Sequence, residues 1–243
     1  MASRFVHLHT HSHYSLLQAL PKIPEIVARA KKENMNAIAL TDHANLYGAI
    51  EFYKKCKEEN IKPIFGIDAY VAIRSRHDKQ AGIDNRRFNL VLLAENNTGY
   101  KNLLKLVTQS HLEGYYYKPR IDKELLQTYH EGLICLSGTF GGEVSRALRN
   151  NDLEKAEQVA REHLEIFGPN NYFLEISHHP EIEGHAEVQK KLVDLGTKIG
   201  IPIVATQDFY YLNPEDKRAR DTMLAIQSSR DLADMQLGDV DTS

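Results

Sequence analysis

The chain has 243 residues, 42% of them hydrophobic, enough to bury one large core or two small ones. With 30 basic and 33 acidic residues the net charge is -3, so affinity for nucleic acid or an anionic membrane requires a local patch. The two cysteines, Cys56 and Cys135, imply no disulfide framework. No run approaches the ~18 apolar residues of a membrane span, and the N-terminus lacks a signal core, so a cytoplasmic protein is expected.

Phe5-Val6 reads as a short first strand. Ile23, Ile26, Val27 and Ala30 share one helical face. Strands are predicted at Ile38-Ala39-Leu40, Pro63 to Ile67 and Leu90 to Ala94, with the polar stretch Arg74 to Arg87 between the last two expected to be a mobile loop. Leu103, Leu106 and Val107 mark a second amphipathic helix. Further strands fall at Leu133 to Leu136, Tyr172 to Ile176 and Ile203 to Ala205. Asn151 with Glu154 resembles a capping box, Val188, Leu192, Leu195 and Ile199 share a helical face, and Asn213-Pro214 signals another helix start. Residues 238–243 carry no packing signal and read as a frayed end. Continuous apolar strands alternating with helices predict an α/β fold of about seven mostly parallel strands, covered on both faces. Closed barrel and open sheet both satisfy this pattern.

Chemistry-bearing residues collect where predicted strands meet loops. His7-Leu8-His9-Thr10-His11-Ser12-His13 sets four histidines in alternation, and in extended backbone His9 and His11 point to one side. Thr41-Asp42-His43, Asp68, Glu175 to His179 and Thr206-Gln207-Asp208 occupy corresponding positions. In a β/α barrel those strand ends share one face. A mixed imidazole and carboxylate cluster suits zinc, manganese or iron better than calcium. No GxGxxG, phosphate-binding P-loop, CxxC pair or G-x-S-x-G elbow occurs. Arg74, Arg76, Lys79, Arg86 and Arg87 read as a solvated loop. Tyr115 to Arg120 sets aromatics beside cations. Tyr116, Tyr117, Lys118 and Arg120 are either a nucleic-acid contact, stacking bases and holding phosphates, or rim packing.

The segment from Phe5 to Ser15 resembles the first motif of the polymerase and histidinol phosphatase (PHP) superfamily. Ala39 to Ala49, with Thr41-Asp42-His43 inside it, Ile61 to Val71, Tyr117 to Asp122 and Leu224 to Gln227 are more similar to its polymerase branch, the α subunits of bacterial DNA polymerase III. The resemblance implies a distorted TIM-like (β/α) barrel over residues 1–230, with a tail, 231–243, leading toward a polymerase core in a longer protein. It implies divalent-metal ligands at His9, His11, His43, Asp68 and Asp208, with His9, His11, His43 and Asp208 catalytic. Some members use such a cluster for 3′–5′ exonuclease or phosphoesterase chemistry on a phosphodiester. Asp68 stands where glutamate is usual. Gln18, Asn89, Thr139 and Tyr210 replace charged or imidazole donors, so reduced metal occupancy is expected. The implied role is support of a replicative polymerase. Its partners would be DNA through the parent protein, other polymerase domains and a proofreading exonuclease subunit, with no membrane. A free-standing phosphoesterase acting on a small phosphate ester is the alternative, and a metal-free scaffold is a third.

Overall fold

The computed structural model describes residues 5–228. The expected tail and frayed end lie outside the described residues. In chain order the elements are α1 (Ile23–Lys32), β1 (Ala37–Leu40), α2 (Ala49–Glu58), β2 (Lys62–Ala72) and β3 (Arg87–Ala94). Then come α3 (Asn97–Leu112), β4 (Tyr115–Tyr116), β5 (Lys118–Ile121), α4 (Lys123–Tyr129), β6 (Leu133–Leu136), α5 (Glu143–Arg149) and α6 (Leu153–Phe167). The chain continues through β7 (Tyr172–Ile176), α7 (His185–Ile199), β8 (Ile203–Ala205), a 3-10 turn (Pro214–Asp216) and α8 (Lys217–Ser228).

Local chemistry explains the helices. In α1 the residues Ile23, Ile26, Val27 and Ala30 are all buried, Glu25 sits in the first turn and Arg29, Lys31 and Lys32 in the last, matching the helix dipole. α3 starts where the Asn96 side chain accepts from the backbone N–H groups of Thr98 and Gly99. Gly99 is required there, because a Cβ would lie 1.8 Å from the Gly132 carbonyl oxygen. The expected cap at Asn151 shifts by one residue. Asn151 adopts a left-handed φ of 56° just past the end of α5, and Asp152 caps α6 by accepting from Lys155 N–H at 2.9 Å. Asparagine tolerates that backbone better than most residues, which frees the aspartate for the cap.

The sheet runs β4-β5-β2-β3-β6-β7-β8, with β1 also on β2. β1 and β5 share one edge of β2, because β3 holds the other. The sheet is curled and mostly parallel, but β3 runs antiparallel to both β2 and β6. Strict strand and helix alternation therefore fails between β2 and β3, which a helix-free loop connects. Phe5-Val6 forms no strand. Residues 7–11 instead fill the gap between β1 and the segment after β8. Ala39 N–H donates to the His7 carbonyl at 2.8 Å, Thr41 N–H to that of Thr10 at 2.9 Å, and Thr10 bridges Phe209 in parallel. Two backbone bonds to β1 and its end and one to Phe209, rather than a ladder, hold this closing segment.

One apolar core packs β3, β6 and β7 against helices α3 to α7, through Leu92, Leu103, Leu106, Val159 and Leu192. A second joins α1 and α2 to β1 through Ile26, Val27, Ile38 and Phe52.

The expected mobile loop after β2 is tied down. Arg76 reaches Asp122 at 3.0 Å and Glu113 at 2.7 Å, and Arg74 Nε reaches Asp84 at 3.0 Å. Arg120, fully buried, donates to the carbonyls of Asp84 (2.7 Å), Arg76 (3.0 Å), Asp78 (2.9 Å) and Gly114 (3.0 Å). Burial lowers the pKa of this guanidinium, although Asp84 and Asp78 oppose the shift. No described helix is long and apolar enough to cross a membrane.

Candidate metal centre

The closing segment carries the first two histidines, and threonines lock it in register. Thr10 N–H donates to Thr41 Oγ1 at 2.8 Å, Thr41 Oγ1 donates back to the Thr10 carbonyl at 3.0 Å, and Thr10 Oγ1 donates to the Ala39 carbonyl. His9 and His11 then project into the curl of the sheet, both buried. Asp42 does not join them. It accepts from Ser12 N–H, Ser12 Oγ and Ser15 Oγ, each at 2.7 Å, and so fixes the turn that follows.

These bonds assign tautomers. Ser15 Oγ spends its only proton on Asp42, so its 3.0 Å contact with His11 Nδ1 needs the proton on the imidazole. Glu175 Oε1 can only accept, so His9 Nδ1, at 2.8 Å, also carries its proton. In the neutral rings both Nε2 atoms are then the lone-pair donors facing inward, the arrangement by which an outer carboxylate or hydroxyl orients a ligating histidine.

Two carboxylates and a third histidine meet them. His11 Nε2 lies 3.0 Å from Asp208 Oδ1, and His9 Nε2 lies 3.5 Å from Asp68 and 3.6 Å from Asp208. His43 Nδ1 lies 3.0 Å from Asp68 Oδ2. His9, His11 and Asp208 form one group able to hold a cation, and His11, His43 and Asp68 another. All five residues expected as ligands are thus brought together, from four separate stretches of chain. His9 Nε2, His11 Nε2, His43 Nδ1, Asp68 Oδ1 and Asp208 Oδ1 are buried without an aligned hydrogen bond. Buried polar atoms normally find partners, so orphaned atoms on the members of two overlapping ligand groups fit divalent cations.

Charge coupling follows the same geometry. Burial opposes charge on His9, but Asp208 and Glu175 outweigh it and raise its pKa well above the ordinary value. Burial and the neighbouring His43 lower that of His11. Burial would raise Asp68, yet His43 and His9 hold it well below the carboxylate range. Asp208 is likewise depressed, against burial, by His9 and His11.

The positions that depart from the charged pattern are built into the wall. Asn89 donates to Asp68 Oδ2 at 2.9 Å. The loop bearing Gly138 can reach Asn89 because this glycine has φ +74°, and a Cβ would lie 2.4 Å from the Asn89 carbonyl. Tyr210 stacks on His11 at 4.4 Å and donates to Asp208 Oδ2 at 3.2 Å. Gln18 is buried beside the Tyr70 hydroxyl, and Thr139 lines a cavity of about 760 Å³ that opens onto Asp208.

Other candidate residues of the sequence take no part in the two groups. His7 packs edge-on against Phe5 and Phe209, and His7, His13, His178 and His179 belong to neither ligand group. Arg120 is no nucleic-acid contact, because four backbone carbonyls consume its guanidinium inside the protein. Tyr116 lies under that guanidinium, Lys118 sits over Tyr70 at 5.9 Å, and Tyr117, 67% exposed, is open to solvent. The orienting role of Glu175 was missed. Its signal was a carboxylate in an otherwise apolar strand, Tyr172-Phe173-Leu174-Glu175-Ile176.

A curled α/β sheet with a buried imidazole and carboxylate cluster at its strand ends defines a candidate metal-binding fold of the PHP kind. The chain belongs to the PHP domain family, whose model matches residues 7–179. It is 47% identical over 92% of its length to a DNA polymerase III subunit alpha from Borreliella burgdorferi. Similar relatives occur in Treponema pallidum (42%, over 95% of this chain) and Thermus aquaticus (43%, over 95%). The chain spans about a fifth of the length of these relatives, 19%, 20% and 19% respectively. Among solved structures it resembles a putative metal-dependent phosphoesterase from Bifidobacterium adolescentis, with TM-score 0.57 and 9% identity over 86% of this chain and 89% of that one. An amidohydrolase from Chromobacterium violaceum has TM-score 0.50 and 14% identity, covering 90% of this chain and 96% of that one. At such identities the likeness concerns the fold alone.

Proposed function

We propose that the chain is the PHP module of a bacterial replicative DNA polymerase α subunit, and that its centre holds zinc, manganese or iron at His9, His11, His43, Asp68 and Asp208. The observation carrying the metal reading is a set of orphaned donor atoms on five residues that form two overlapping ligand groups sharing His11. A bound divalent cation would supply Lewis acidity toward a phosphate oxygen and lower the pKa of water. The protein's own residues orient and restrain. Glu175 and Ser15 hold the His9 and His11 rings in the ligating tautomer. Burial, with Asp208 and Asp68 nearby, pushes the Tyr210 hydroxyl pKa well up, so it stays a proton donor to Asp208.

Asn89 and Tyr210 each occupy a carboxylate oxygen with a neutral donor. That competition favours reduced occupancy and modest 3′–5′ exonuclease or phosphoesterase activity beside a supporting role in a cytoplasmic polymerase. DNA, the neighbouring polymerase domains and a proofreading exonuclease subunit are the partners of this reading. The cavity at Asp208 favours keeping a small phosphate ester as a second substrate reading.

Elemental analysis of protein purified without added metal, beside His11→Asn, tests the centre. Equal, near-zero metal in both would leave only a scaffold. Shortening of 3′-labelled single-stranded DNA with manganese, lost in Asp208→Asn, supports the exonuclease. Shortening that persists in that variant belongs to a contaminant. Turnover of a small ester without shortening favours the second reading.

A further inference from the structure

Arg220, in the first turn of α8, stands beside the centre with part of its guanidinium unused. The group lies over the Tyr210 ring at 4.1 Å, and Tyr210 in turn stacks on His11 at 4.4 Å. One ring face cannot hold both at such spacings, so Arg220 and His11 sandwich Tyr210. The guanidinium is therefore two stacking distances from a candidate metal ligand. Its Nε donates to the Gln18 carbonyl at 3.3 Å, which fixes the plane of the fork. Among the described residues the two Nη groups meet no hydrogen-bond acceptor and no carboxylate.

That is unlike the arginines that hold the fold. Arg120 and Arg76 turn their forks onto carbonyls and carboxylates. Arg220 lines the cavity that also contains Asp208, Thr139 and Ser177. The other arginine and the lysine of that cavity are paired, Arg29 with Glu33 at 2.9 Å and Lys217 with Asp221 at 2.6 Å. A guanidinium stacked through its face keeps its in-plane N–H edge for an oxyanion. At about 760 Å³ the cavity has room for a nucleotide-sized ester. Asp68 and Asp208 repel such an anion, and a guanidinium on the cavity side offsets that repulsion.

We propose that Arg220 is a phosphate-binding residue: its Nη edge holds a non-bridging oxygen of a phosphate ester lodged in the cavity beside His11 and Asp208. This rests on the reading of the centre as directed at phosphate esters.

The first measurement uses the wild-type chain. Phenylglyoxal attacks accessible guanidinium edges, and peptide mass spectrometry follows Arg220 against Arg218, an exposed neighbour on the same helix. Thymidine 5′-monophosphate, a monoester, and thymidylyl-3′,5′-thymidine, a diester, are added separately to EDTA-stripped and to zinc-supplemented protein. At least one ester should slow modification of Arg220 and leave Arg218 unchanged, and thymidine should protect neither. The ester that protects tells monoester from diester. In calorimetric titration of that ester, R220Q should bind roughly 10-fold more weakly or worse. R220K keeps the charge without the fork, so it should recover only part of the loss, and it serves as the second variant where R220Q does not fold. K217Q removes a cation that is already paired and should change affinity less than about 2-fold.

Equal modification of Arg220 with and without both esters would overturn the proposal, as would unchanged affinity in R220Q and R220K. Equal losses in R220Q and K217Q, or protection by thymidine, would overturn it in favour of diffuse charge or nucleoside packing. Protection of Arg220 in a protein that takes up no zinc would sink the metal reading alone. Zinc uptake without protection would sink the arginine alone.

Discussion

The metal centre and the clasp around Arg120 are both buried and both charged, yet they treat their polar atoms in opposite ways. In the clasp, one guanidinium satisfies four carbonyls, and Arg76 meets Asp122, Glu113 and Glu124. In the centre, donor atoms on five residues form two overlapping groups and none is aligned with another. A satisfied network holds the fold and leaves little for a ligand to gain. An unsatisfied one carries a desolvation cost that a ligand can relieve. This distinction separates the two kinds of charged residue more reliably than burial does, because both clusters are buried.

The largest expected effect comes from breaking the clasp. Arg120→Met strands the carbonyls of residues 76, 78 and 84, leaving Gly114 its bond from the backbone N–H of residue 120, and should cost about 4 kcal/mol in urea unfolding. Asp208→Asn in metal-free protein should cost less, because the charge it removes, though attracted by His9 and His11, is opposed by burial and by Asp68. Equal losses in the two variants would erase the contrast.

His163 challenges the rule from another side. Both of its ring nitrogens are buried without a partner, yet it lies in α6 and belongs to neither ligand group. Burial, reinforced by Lys123, pushes its pKa down to about 4 from 6.5. Between those values the unfolded chain binds a proton that the native ring refuses, so stability is complete above about pH 6.5 and falls toward pH 4. The full loss is roughly 3 kcal/mol, and His163→Leu should remove that slope from unfolding curves taken between pH 7.5 and 4. A variant with the wild-type slope would assign the acid sensitivity elsewhere.

Metal linkage sharpens the comparison. Zinc or manganese at 100 times its dissociation constant should stabilise EDTA-stripped protein by about 2.7 kcal/mol in thermal unfolding, and His11→Asn should abolish the gain. Stabilisation that survives in His11→Asn would place the ion outside the described centre. The smallest effect concerns strain. Tyr117 is exposed with φ 60°, a left-handed backbone unfavourable to tyrosine, so Tyr117→Gly should gain about 1 kcal/mol at most. A loss instead would mean that the Tyr117 ring packs in the folded chain.

Much of this was legible in the sequence because the signals are local. Apolar runs placed β1, β6, β7 and β8 within a residue of their observed bounds, since a strand covered on both faces cannot hide its composition. Alternating histidines named His9 and His11, because alternation in extended backbone decides which side chains share a side. The resemblance supplied His43, Asp68 and Asp208.

Other features depend on what a residue meets across the chain, and no local pattern carries that. Arg120 and Arg86 look alike in sequence. The first is enclosed by carbonyls from residues 76, 78, 84 and 114, and the second lies at the surface beside Arg146. Asp42 and Asp68 also look alike, yet Asp42 receives three donors from the Ser12–Ser15 turn while Asp68 turns toward His43 and His9. Composition and periodicity determined the α/β class and the helix and strand faces. Only the tertiary structure decided which charged groups were satisfied and which were left in the two ligand groups, because hydrogen-bond partners are set by spatial convergence rather than by neighbours in the chain.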